Sequence, residues 1–581
     1  MFYLLLPLQF LCITPSLNEP INLVRSILLA VAVTLFVIAQ PDVLRAKNKF
    51  LYLLLILPGI YVISAVANKQ NPVLALLGNY NRNFGIFTLI AIGLLVLITA
   101  NSRIKPSAFL SYGVWPITVL AVIYSYMQSF DVDPLGWAET DRTVLTLGNS
   151  DYAASFLAML VIVPIYGFFA YPNKFIKASM IPLLWLINNA GLNSQAYQYR
   201  VIALVSVIVF LVVFFWEKIA ALPKLLTGGS VMGFLGLAAF FVLSNKAELI
   251  SRTSFEDRIS QQKMGLSMFL DHPIFGVGID QMGRYIPLYL KPIDIVRNGS
   301  LVVPDKTHNT FIDHLATGGI FAGLVFTAFF IFSLIIVFQL MRKTDKKENR
   351  PLTALIAGIW VAYTAQQFIS TDEVMLMIMP FMAFGLMCKL YFNESEPLTR
   401  KNKGIDNPIR VSLVRSVISV FLILVLVIGG RAIYFDSQVK KILTHEITNG
   451  DIALSTIKKF PNPKSTEQII VDALSNLSNC NFANIASDEL LKVDNRSGQA
   501  WYFKTLCIDA TGDRKTALTY IEKALNLQPV NLIYLEAKFK LMASLGDVNG
   551  ATSVLETMKT INPNLPNLAD LQALLKVPAT N

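Results

Sequence analysis

Six basic side chains that could carry acid–base or anion chemistry lie in one polar stretch of the sequence, residues 252–323. They are Arg252, Arg258, His272, Arg284, His308 and His314. Three of the four histidines of the chain therefore fall in this stretch. Imidazole exchanges protons near neutral pH, whereas a guanidinium stays charged and can donate two parallel hydrogen bonds to a phosphate. The combination predicts a site that binds an anion and moves a proton.

His308 is the predicted acid–base residue, because it stands directly before Asn309 at the outer start of an apolar segment. A neutral imidazole there could accept the proton of an attacking hydroxyl group. Asn309 could cap the following helix or bind sugar hydroxyls. The alternative is a structural role in which His308 itself caps that helix. His272, in a turn with Pro and Gly, and His314, further into the apolar segment, are less favoured candidates.

Further arginines and amides stand at the ends of other apolar segments, in GNYNRNFG (78–85), RTVLTLGNSDYAASFL (142–157) and NNAGLNSQAYQYR (188–200). Helices of a bundle bring their ends together, so we predict that these side chains share one surface. The predicted diphosphate-binding residues are Arg82, Arg142, Arg200, Arg258 and Arg284. The predicted substrate-binding residues are Asn149, Gln195 and Asn309. For Arg82 and Arg142 the alternative is an anchor whose charged end reaches the membrane surface.

Motifs for nucleotide, zinc and thiol chemistry are missing from the sequence, and we expect neither a metal nor a cofactor. There is no Walker loop, HExxH or CxxC, and the four cysteines match no metal-ligand spacing. Asp131 and Asp133 resemble a metal-binding pair, but the following Pro-Leu-Gly-Trp favours a turn. Gly276 and Gly278 lack the setting of a dinucleotide fold and predict a turn in which the backbone closely approaches another segment.

The composition indicates an all-α, polytopic membrane protein. Of the 581 residues, 54% are hydrophobic and 15% charged, whereas soluble domains carry about 25% charged residues. Apolar runs of membrane-spanning length recur and predict about 13 spans, two of them short. The runs are 1–14, 21–39, 50–67, 84–100, 108–127, 150–171, 178–191, 200–216, 225–244, 311–340, 352–370, 375–392 and 411–430.

The distribution of Lys and Arg predicts the orientation in the membrane. Under strict alternation of sides, the basic connectors all fall on one side, which is then the cytoplasm together with the N-terminus. They are 45–49, 103–105, 174–177, 218–224, 342–350 and 400–410. The outer loops are then 68–83, 128–149, 191–199, a large loop at 245–310, and 371–374. The polar stretch lies outside the cell membrane, where nucleoside triphosphates and sugar nucleotides are not normally available.

After residue 430 the composition becomes that of a soluble helical domain, which the alternation of sides also places outside. Within this region the sequence repeats with a period of 34: Gly512-Asp513 recurs as Gly546-Asp547, Ala517 as Ala551, and Pro529 as Pro563. This period is typical of tetratricopeptide helix pairs. We therefore predict a membrane domain at 1–430 and a repeat domain at 431–581. The repeats could bind a protein partner or only pack against the membrane domain.

Several of these segments resemble the superfamily of O-antigen ligases and Wzy-type O-antigen polymerases, which are bacterial membrane glycosyltransferases. The resembling blocks are RISQQ (258–262), DHPIFGVGID (271–280), HNTFIDHLATGGIFAG (308–323) and TLGNSDYAASFLAML (146–160). GNYNRNFGIFT (78–88) and FDVDPLGW (130–137) are similar to motifs of the branch that carries C-terminal tetratricopeptide repeats. The resemblance extends over residues 1–430 in layout.

The resemblance implies a metal-independent, inverting transfer of an oligo- or polysaccharide from undecaprenyl diphosphate at the outer face of the inner membrane. In the family, arginines near the membrane surface hold the diphosphate and a loop histidine activates the acceptor hydroxyl; Arg258 and His308 match those positions. Gln262 stands where the family often has Trp, and Thr317 where it often has Glu. NSQAYQYR stands in place of a Ser-Arg-Gly motif, which leaves open whether Gln195 or Arg200 takes that role.

Several functions stay open at this point. The enzyme could be a ligase, a polymerase of lipid-linked repeat units, or a protein O-oligosaccharyltransferase, so the acceptor is a glycan, a lipid or a protein. A transporter of lipid-linked glycan would instead need ionisable residues inside the spans, broken helices and internal pseudo-symmetry. We interpret the spans as nearly free of charge, which disfavours a transporter. A non-catalytic scaffold would use the repeats to recruit partners. We expect no nucleic-acid partner.

Overall fold

The computed structural model describes residues 2–45, 49–137, 142–220, 253–343, 349–393, 408–460, 462–476 and 479–575. All regular secondary structure in these ranges is helical, which confirms the predicted fold class. Eight of the described helices are long and apolar enough to cross a membrane. They are Asn22–Ala39, Lys49–Ala67, Pro106–Ser129, Ser150–Ala170, Lys174–Asn193, Thr310–Lys343, Val374–Phe392 and Val411–Leu443.

Shorter helices complete the bundle and its surroundings. Three are apolar and 10–17 residues long: Phe2–Leu11, Ile86–Asn101 and Gln198–Phe214. Others in the membrane domain and its loops are Pro72–Leu77, Trp216–Ala220, Thr253–Asp271, Met282–Tyr285, Pro292–Asn298 and Arg350–Gln366. The predicted span at 225–244 and Arg252 lie outside the described residues, so the count of about 13 spans stays a prediction.

The centre of the bundle is built from helices that are apolar on every face. Ile86–Asn101 and Val374–Phe392 are buried along almost their whole length. A helix that is hydrophobic all round has no face for water and must be enclosed by protein or lipid. Aromatic rings fill the space between the later helices, and Trp360 is fully buried among Phe329, Phe330 and Phe384. This core fixes the ends of the helices that carry the predicted site residues.

The helix Thr310–Lys343 is broken near its start, at Gly319, whose φ is +71°. The turn at 273–278 lies across the break. The N–H groups of Val277 and Gly278 donate to the carbonyls of Ala316 and Thr317, both at 2.9 Å, and Ile320 N–H donates to the Pro273 carbonyl at 2.8 Å. Backbone groups released by a break inside a membrane need such partners. The close backbone approach predicted at Gly276 and Gly278 is therefore confirmed.

Replacing Gly319 by alanine is expected to prevent stable folding. A Cβ at this position would lie 2.1 Å from the Ile274 carbonyl oxygen, on a backbone with a positive φ. Gly136→Ala is the matched control, since Gly136 has a φ of +62° but no atom within 4 Å of the place that an alanine methyl group would occupy. The free energy of unfolding of the control should fall by only about 1–2 kcal/mol, the cost of a left-handed backbone for a residue with a Cβ. The yield of folded protein and its thermal unfolding in detergent are measured for both variants, and equal losses would contradict a steric effect at Gly319.

The C-terminal region forms helix pairs that follow the predicted repeat. Its helices are Gly450–Lys459, Pro463–Asn476, Cys480–Val493, Gly498–Ala510, Arg514–Leu527, Leu532–Ser544, Val548–Ile561 and Leu568–Leu574. Ala517 and Ala551 are both fully buried. Asp513 and Asp547 accept hydrogen bonds from backbone N–H groups at the starts of their helices. The assignment to tetratricopeptide repeats and the boundary at residue 430 stay predictions; the helix Val411–Leu443 runs through that boundary.

The predicted outer loops and the C-terminal helices gather at one end of the bundle. Asp280 accepts a hydrogen bond from Asn79 N–H at 2.6 Å, and the Ser300 carbonyl accepts one from Asn531 at 3.2 Å. The basic connector at 103–105 lies at the other end, where the Lys389 ammonium donates to the carbonyls of Ser102, at 2.7 Å, and Ile104. These described loops thus lie at two different ends, as the sequence predicts. Which end faces the cytoplasm stays a prediction.

Candidate active site

His308 lies in a short loop directly before the broken helix Thr310–Lys343. Its φ of +55° lies in the left-handed region, which is uncommon for a residue with a side chain. Asn309 Oδ1 accepts from the N–H groups of Phe311 and Ile312 at 3.1 and 3.2 Å. Asn309 therefore caps the helix, as one of its two predicted roles required, and the imidazole of His308 is not needed for capping.

The surroundings of His308 favour its neutral form. Burial lowers the pKa of His308 to about 4. The positive charges of Arg258 and Arg82 also lower this pKa, whereas the carboxylates of Asp305 and Asp257 raise it by less. Nδ1 is buried and has no hydrogen-bond partner among the described residues. The imidazole is therefore neutral at neutral pH and can accept a proton there, which is the role predicted from the sequence.

Arg258 stands on the helix Thr253–Asp271 and reaches the start of Ser150–Ala170. Its Nη2 lies 2.6 Å from Asp151 Oδ2, and its Nη1 donates to the Ile369 carbonyl at 2.9 Å and to Gln198 Oε1 at 3.4 Å. Asn149 caps the Asp151 helix, accepting from Asp151 N–H at 2.7 Å. Nε–H and one Nη2–H of Arg258 have no partner among the described residues, so they can still bind an anion.

Gln198 is a site residue that was not predicted from the sequence. Its amide donates to the Asp151 carbonyl and to Ser155 Oγ, the latter at 3.1 Å, while its oxygen accepts from Arg258. The predicted residues on either side, Gln195 and Arg200, are exposed. In the structure, Ile202 and Ser206 are buried on the same helix, whereas the sequence alone does not show which face of the helix is buried. Counting back from them by four residues puts Gln198 on the same inward face.

Arg82 forms a second ion pair, and its charge also acts on His308. Its Nε and Nη2 donate to the two carboxylate oxygens of Asp305 at 2.6 and 2.8 Å, and its Nη1 bonds to the Tyr152 hydroxyl. Burial opposes the charged form of Asp305, but Arg82 outweighs it and lowers the pKa of that carboxyl. The guanidinium is therefore held in a fixed orientation and does not snorkel freely.

Lys306 and Asp280 form a buried ion pair next to the His308 loop, which was not predicted from the sequence. The Lys306 ammonium lies 2.7 Å from Asp280 Oδ1. Burial disfavours the charge of Lys306, yet the carboxylates of Asp280 and Asp313 raise its pKa overall. Because Asp280 follows the turn at 273–278, the pair fastens the His308 loop to that turn. This contact explains how the two resembling blocks of sequence are brought together.

The other predicted groups have different surroundings. His314 Nδ1 is 2.6 Å from the Tyr61 hydroxyl inside the bundle, and the His272 ring packs edge-on against Tyr285. Neither ring is joined to Arg258 or Arg82 by a hydrogen bond or ring contact in the described residues. Arg142 is exposed. Asp133 accepts from the Tyr124 hydroxyl at 2.6 Å and from two backbone N–H groups of its own turn, as the turn interpretation predicted.

A cleft of about 870 Å³ separates the outer loops from the C-terminal helices. Arg82, Asn149 and Arg284 line it from the membrane domain, whereas Arg258 and His308 do not. Arg284 Nη2 lies 2.7 Å from Asp494 Oδ1, so this predicted diphosphate ligand also ties the loop to the C-terminal domain. The structure thus brings Arg258, Arg82 and His308 together and places Arg284 and Asn149 along the adjoining cleft.

Comparison with known proteins gives one family match, which covers part of the chain. Residues 142–327 match the family model described as O-antigen ligase, Wzy_C. The matched range includes Arg258, the turn at 273–278 and His308, and the family supports a membrane glycosyltransferase-like function. No curated protein matches the sequence. The described helices indicate an integral membrane protein, and residues 142–327 of the chain are similar to the O-antigen ligase family.

Proposed function

We propose that the protein transfers an oligo- or polysaccharide from undecaprenyl diphosphate to an acceptor hydroxyl at the outer face of the bacterial inner membrane. The observation that carries this proposal is the neutral imidazole of His308 beside the guanidiniums of Arg258 and Arg82. All three lie at the loop end of the bundle, where a lipid-linked diphosphate would enter from the bilayer. Arg258 and His308 also lie within residues 142–327, which match the O-antigen ligase family model.

In the proposed reaction, the imidazole and the guanidiniums have separate roles. His308 accepts the proton of the acceptor hydroxyl as its oxygen attacks the anomeric carbon of the donor sugar. The bond between that carbon and the diphosphate breaks, and undecaprenyl diphosphate leaves with the electron pair. Attack from the face opposite the leaving group inverts the anomeric centre. The charge that develops on the leaving oxygen is stabilised by guanidinium N–H groups that are already in position.

Both guanidiniums are paired with carboxylates, Arg258 with Asp151 and Arg82 with Asp305. The pairing holds each planar fork in place before substrate arrives, which lowers the reorganisation needed during the reaction. A guanidinium has five N–H donors, so one carboxylate does not exhaust its capacity. The diphosphate then binds through the remaining N–H groups, and it replaces neither carboxylate.

Reconstitution in proteoliposomes tests the proposal. The vesicles contain the purified protein and lipid-linked glycan, and a candidate acceptor is added. The expected products are glycosylated acceptor and free undecaprenyl diphosphate in equal amounts. In cells without the protein, long chains left on the lipid would indicate a ligase, and single repeat units a polymerase. Movement of intact lipid-linked glycan across the bilayer without bond cleavage would overturn the proposal in favour of a transporter.

A few ionisable residues of the described spans are buried near the loop end of the bundle. Arg25 is fully buried in Asn22–Ala39, 3.5 Å from Glu373, and Asp313 and His314 are buried in the broken helix Thr310–Lys343. A single charge hardly alters the hydropathy of an 18-residue run, so hydropathy does not reveal it. These residues lie in or next to the first turns of helices at the loop end. They therefore extend the polar site slightly into the bundle.

We expect transfer to be insensitive to EDTA. The carboxylates nearest His308 and its arginines are already engaged by cations, Asp151 by Arg258, Asp305 by Arg82 and Asp280 by Lys306. A divalent ion would have to displace one of these partners. Transfer rates with and without chelator should agree within about two-fold, a difference of less than about 1 kcal/mol in activation free energy. Activity that returns only on addition of a divalent cation would contradict this expectation.

A further inference from the structure

We infer that the cleft between the outer loops and the C-terminal helices binds a sugar chain, so that the C-terminal domain forms part of a glycan subsite. This inference rests on the proposed function, because it assigns the cleft to a substrate of that reaction. The sugar chain can belong to the donor or to a glycan acceptor. Both present the same hydroxyl-rich surface, and transfer kinetics separate them.

The size and position of the cleft suit a chain of sugars. Its volume of about 870 Å³ is at the large end of the usual range for ligand sites. One wall contains Arg82 and Asp305, which lies three residues before His308 in the chain. The opposite wall is built by the C-terminal domain, including Gln499 and Gln528. A chain lying in the cleft therefore extends away from the proposed reaction centre.

The chemistry of the lining selects a polar occupant. Primary amides are contributed from both sides, by Asn79 and Asn149 of the membrane domain and by Gln468 and Gln499 of the C-terminal domain. A primary amide both donates and accepts hydrogen bonds, which suits a sugar hydroxyl that also does both. The indole of Trp137 adds a flat apolar surface on which a sugar ring can stack. Most small-molecule pockets are lined chiefly by apolar side chains, so this cleft differs from them.

The balance of charge in the cleft favours a neutral occupant. Arg82 is paired with Asp305 and Arg284 with Asp494. Burial and the negative charge of Asp494 raise the pKa of Glu467 to about 7, so this carboxyl is partly neutral at physiological pH. Lys464, Arg496 and Glu19 also line the cleft, so four basic and four acidic side chains roughly balance, and the lining offers no strong field of one sign. A charged peptide would gain little electrostatic attraction from such a surface, whereas a neutral glycan binds without any net charge in the lining.

A binding measurement tests the inference without depending on catalysis. The probe is the soluble oligosaccharide released by mild acid from the lipid-linked glycan of the same cells, titrated into full-length protein in detergent. The double variant Trp137→Ala/Gln499→Ala should weaken binding about ten-fold, since it removes one stacking surface and one hydrogen-bonding group. Gln572→Ala is the matched control: Gln572 is an exposed glutamine of the C-terminal domain outside the cleft lining, and its loss should change nothing.

The kinetic arm identifies the source of the glycan. In the transfer assay, the double variant should raise KM with little change in kcat, for the donor if the cleft holds the donor glycan and for the acceptor if it holds the acceptor glycan. Equal binding by wild type and double variant, or a loss confined to a protein acceptor, would overturn the inference. Normal oligosaccharide binding in a protein that performs no transfer would instead overturn the proposed function and leave the subsite standing.

Discussion

Replacing His308 by alanine is expected to lower the rate of glycan transfer by about 10²- to 10⁴-fold, the usual contribution of a general base. The variant should fold and still bind the lipid-linked donor, because Asn309 caps the helix and the Lys306–Asp280 pair holds the loop. Single-turnover assays in proteoliposomes measure the loss, and donor binding is measured separately. Residual transfer close to wild type would contradict the role assigned to His308.

His272→Ala is the matched control, since it removes another imidazole of the same outer region. His272 packs against Tyr285 and contacts neither Arg258 nor Arg82 by a hydrogen bond in the described residues. The control should retain transfer within about two-fold, less than about 1 kcal/mol of activation free energy. An equal loss in both variants would indicate damage to the loop and would exclude a specific chemical role of His308.

The dependence of kcat/KM on pH should also reflect the protonation state of His308. Burial together with the charges of Arg258 and Arg82 lowers the pKa of His308 to about 4, so the ring is neutral above that pH and protonated below it. The kcat/KM of the wild-type protein should stay level as the pH falls through about 6.5, the ordinary pKa of histidine, and it should decline only towards pH 4. Arg82→Gln removes one of the two opposing charges and should move the decline to higher pH. A decline centred on the ordinary histidine pKa in the wild type would show an unperturbed imidazole.

Arg258→Ala is expected to lower transfer by about 10²- to 10³-fold, the range seen when one donor to a developing negative charge is removed. Arg258→Lys should rescue little. A lysine ammonium is a single point, and it cannot reach Asp151, the Ile369 carbonyl and a diphosphate in the planar geometry of a guanidinium. Initial rates with saturating acceptor give the loss for each variant.

Two further variants separate chemistry from folding. Arg258→Ala alone leaves Asp151 without its cation and should lower the thermal unfolding temperature. The double variant Arg258→Ala/Asp151→Ala removes the stranded carboxylate and should recover that temperature without recovering transfer. Arg200→Ala should have a smaller effect on the donor KM, because Arg200 is exposed and its guanidinium lies 5.9 Å from the Tyr197 ring centre. Recovery of transfer in the double variant would show that Arg258 acts only through stability.

Local features of the sequence predicted those parts of the site that depend on neighbouring residues. Residue types within a few positions predicted three features. They are the position of His308 directly before the capping Asn309, the turn after Asp133, and the close backbone approach at Gly276. The family resemblance is confirmed for residues 142–327. Helix content and the grouping of loops also followed, since apolar length and the position of basic residues encode them.

The partners of the arginines could not be predicted in this way. Arg258 with Asp151 and Arg82 with Asp305 join segments that are far apart in the chain. Hydropathy sets the length of a span but not its rotation or its neighbours, so it cannot tell which loop carboxylate meets which guanidinium. Gln198 could not be predicted for the same reason, because its role depends on which face of the helix Gln198–Phe214 is directed towards Ser150–Ala170.

The break at Gly319 has a consequence for how the protein is made. The N–H groups that satisfy Ala316 and Thr317 come from Val277 and Gly278, which the ribosome produces before the helix Thr310–Lys343. When that helix leaves the insertion machinery, its partner turn has already been synthesised, so the released carbonyls can be covered at once. A circularly permuted chain that made Thr310–Lys343 first would expose those carbonyls to the bilayer until synthesis was finished.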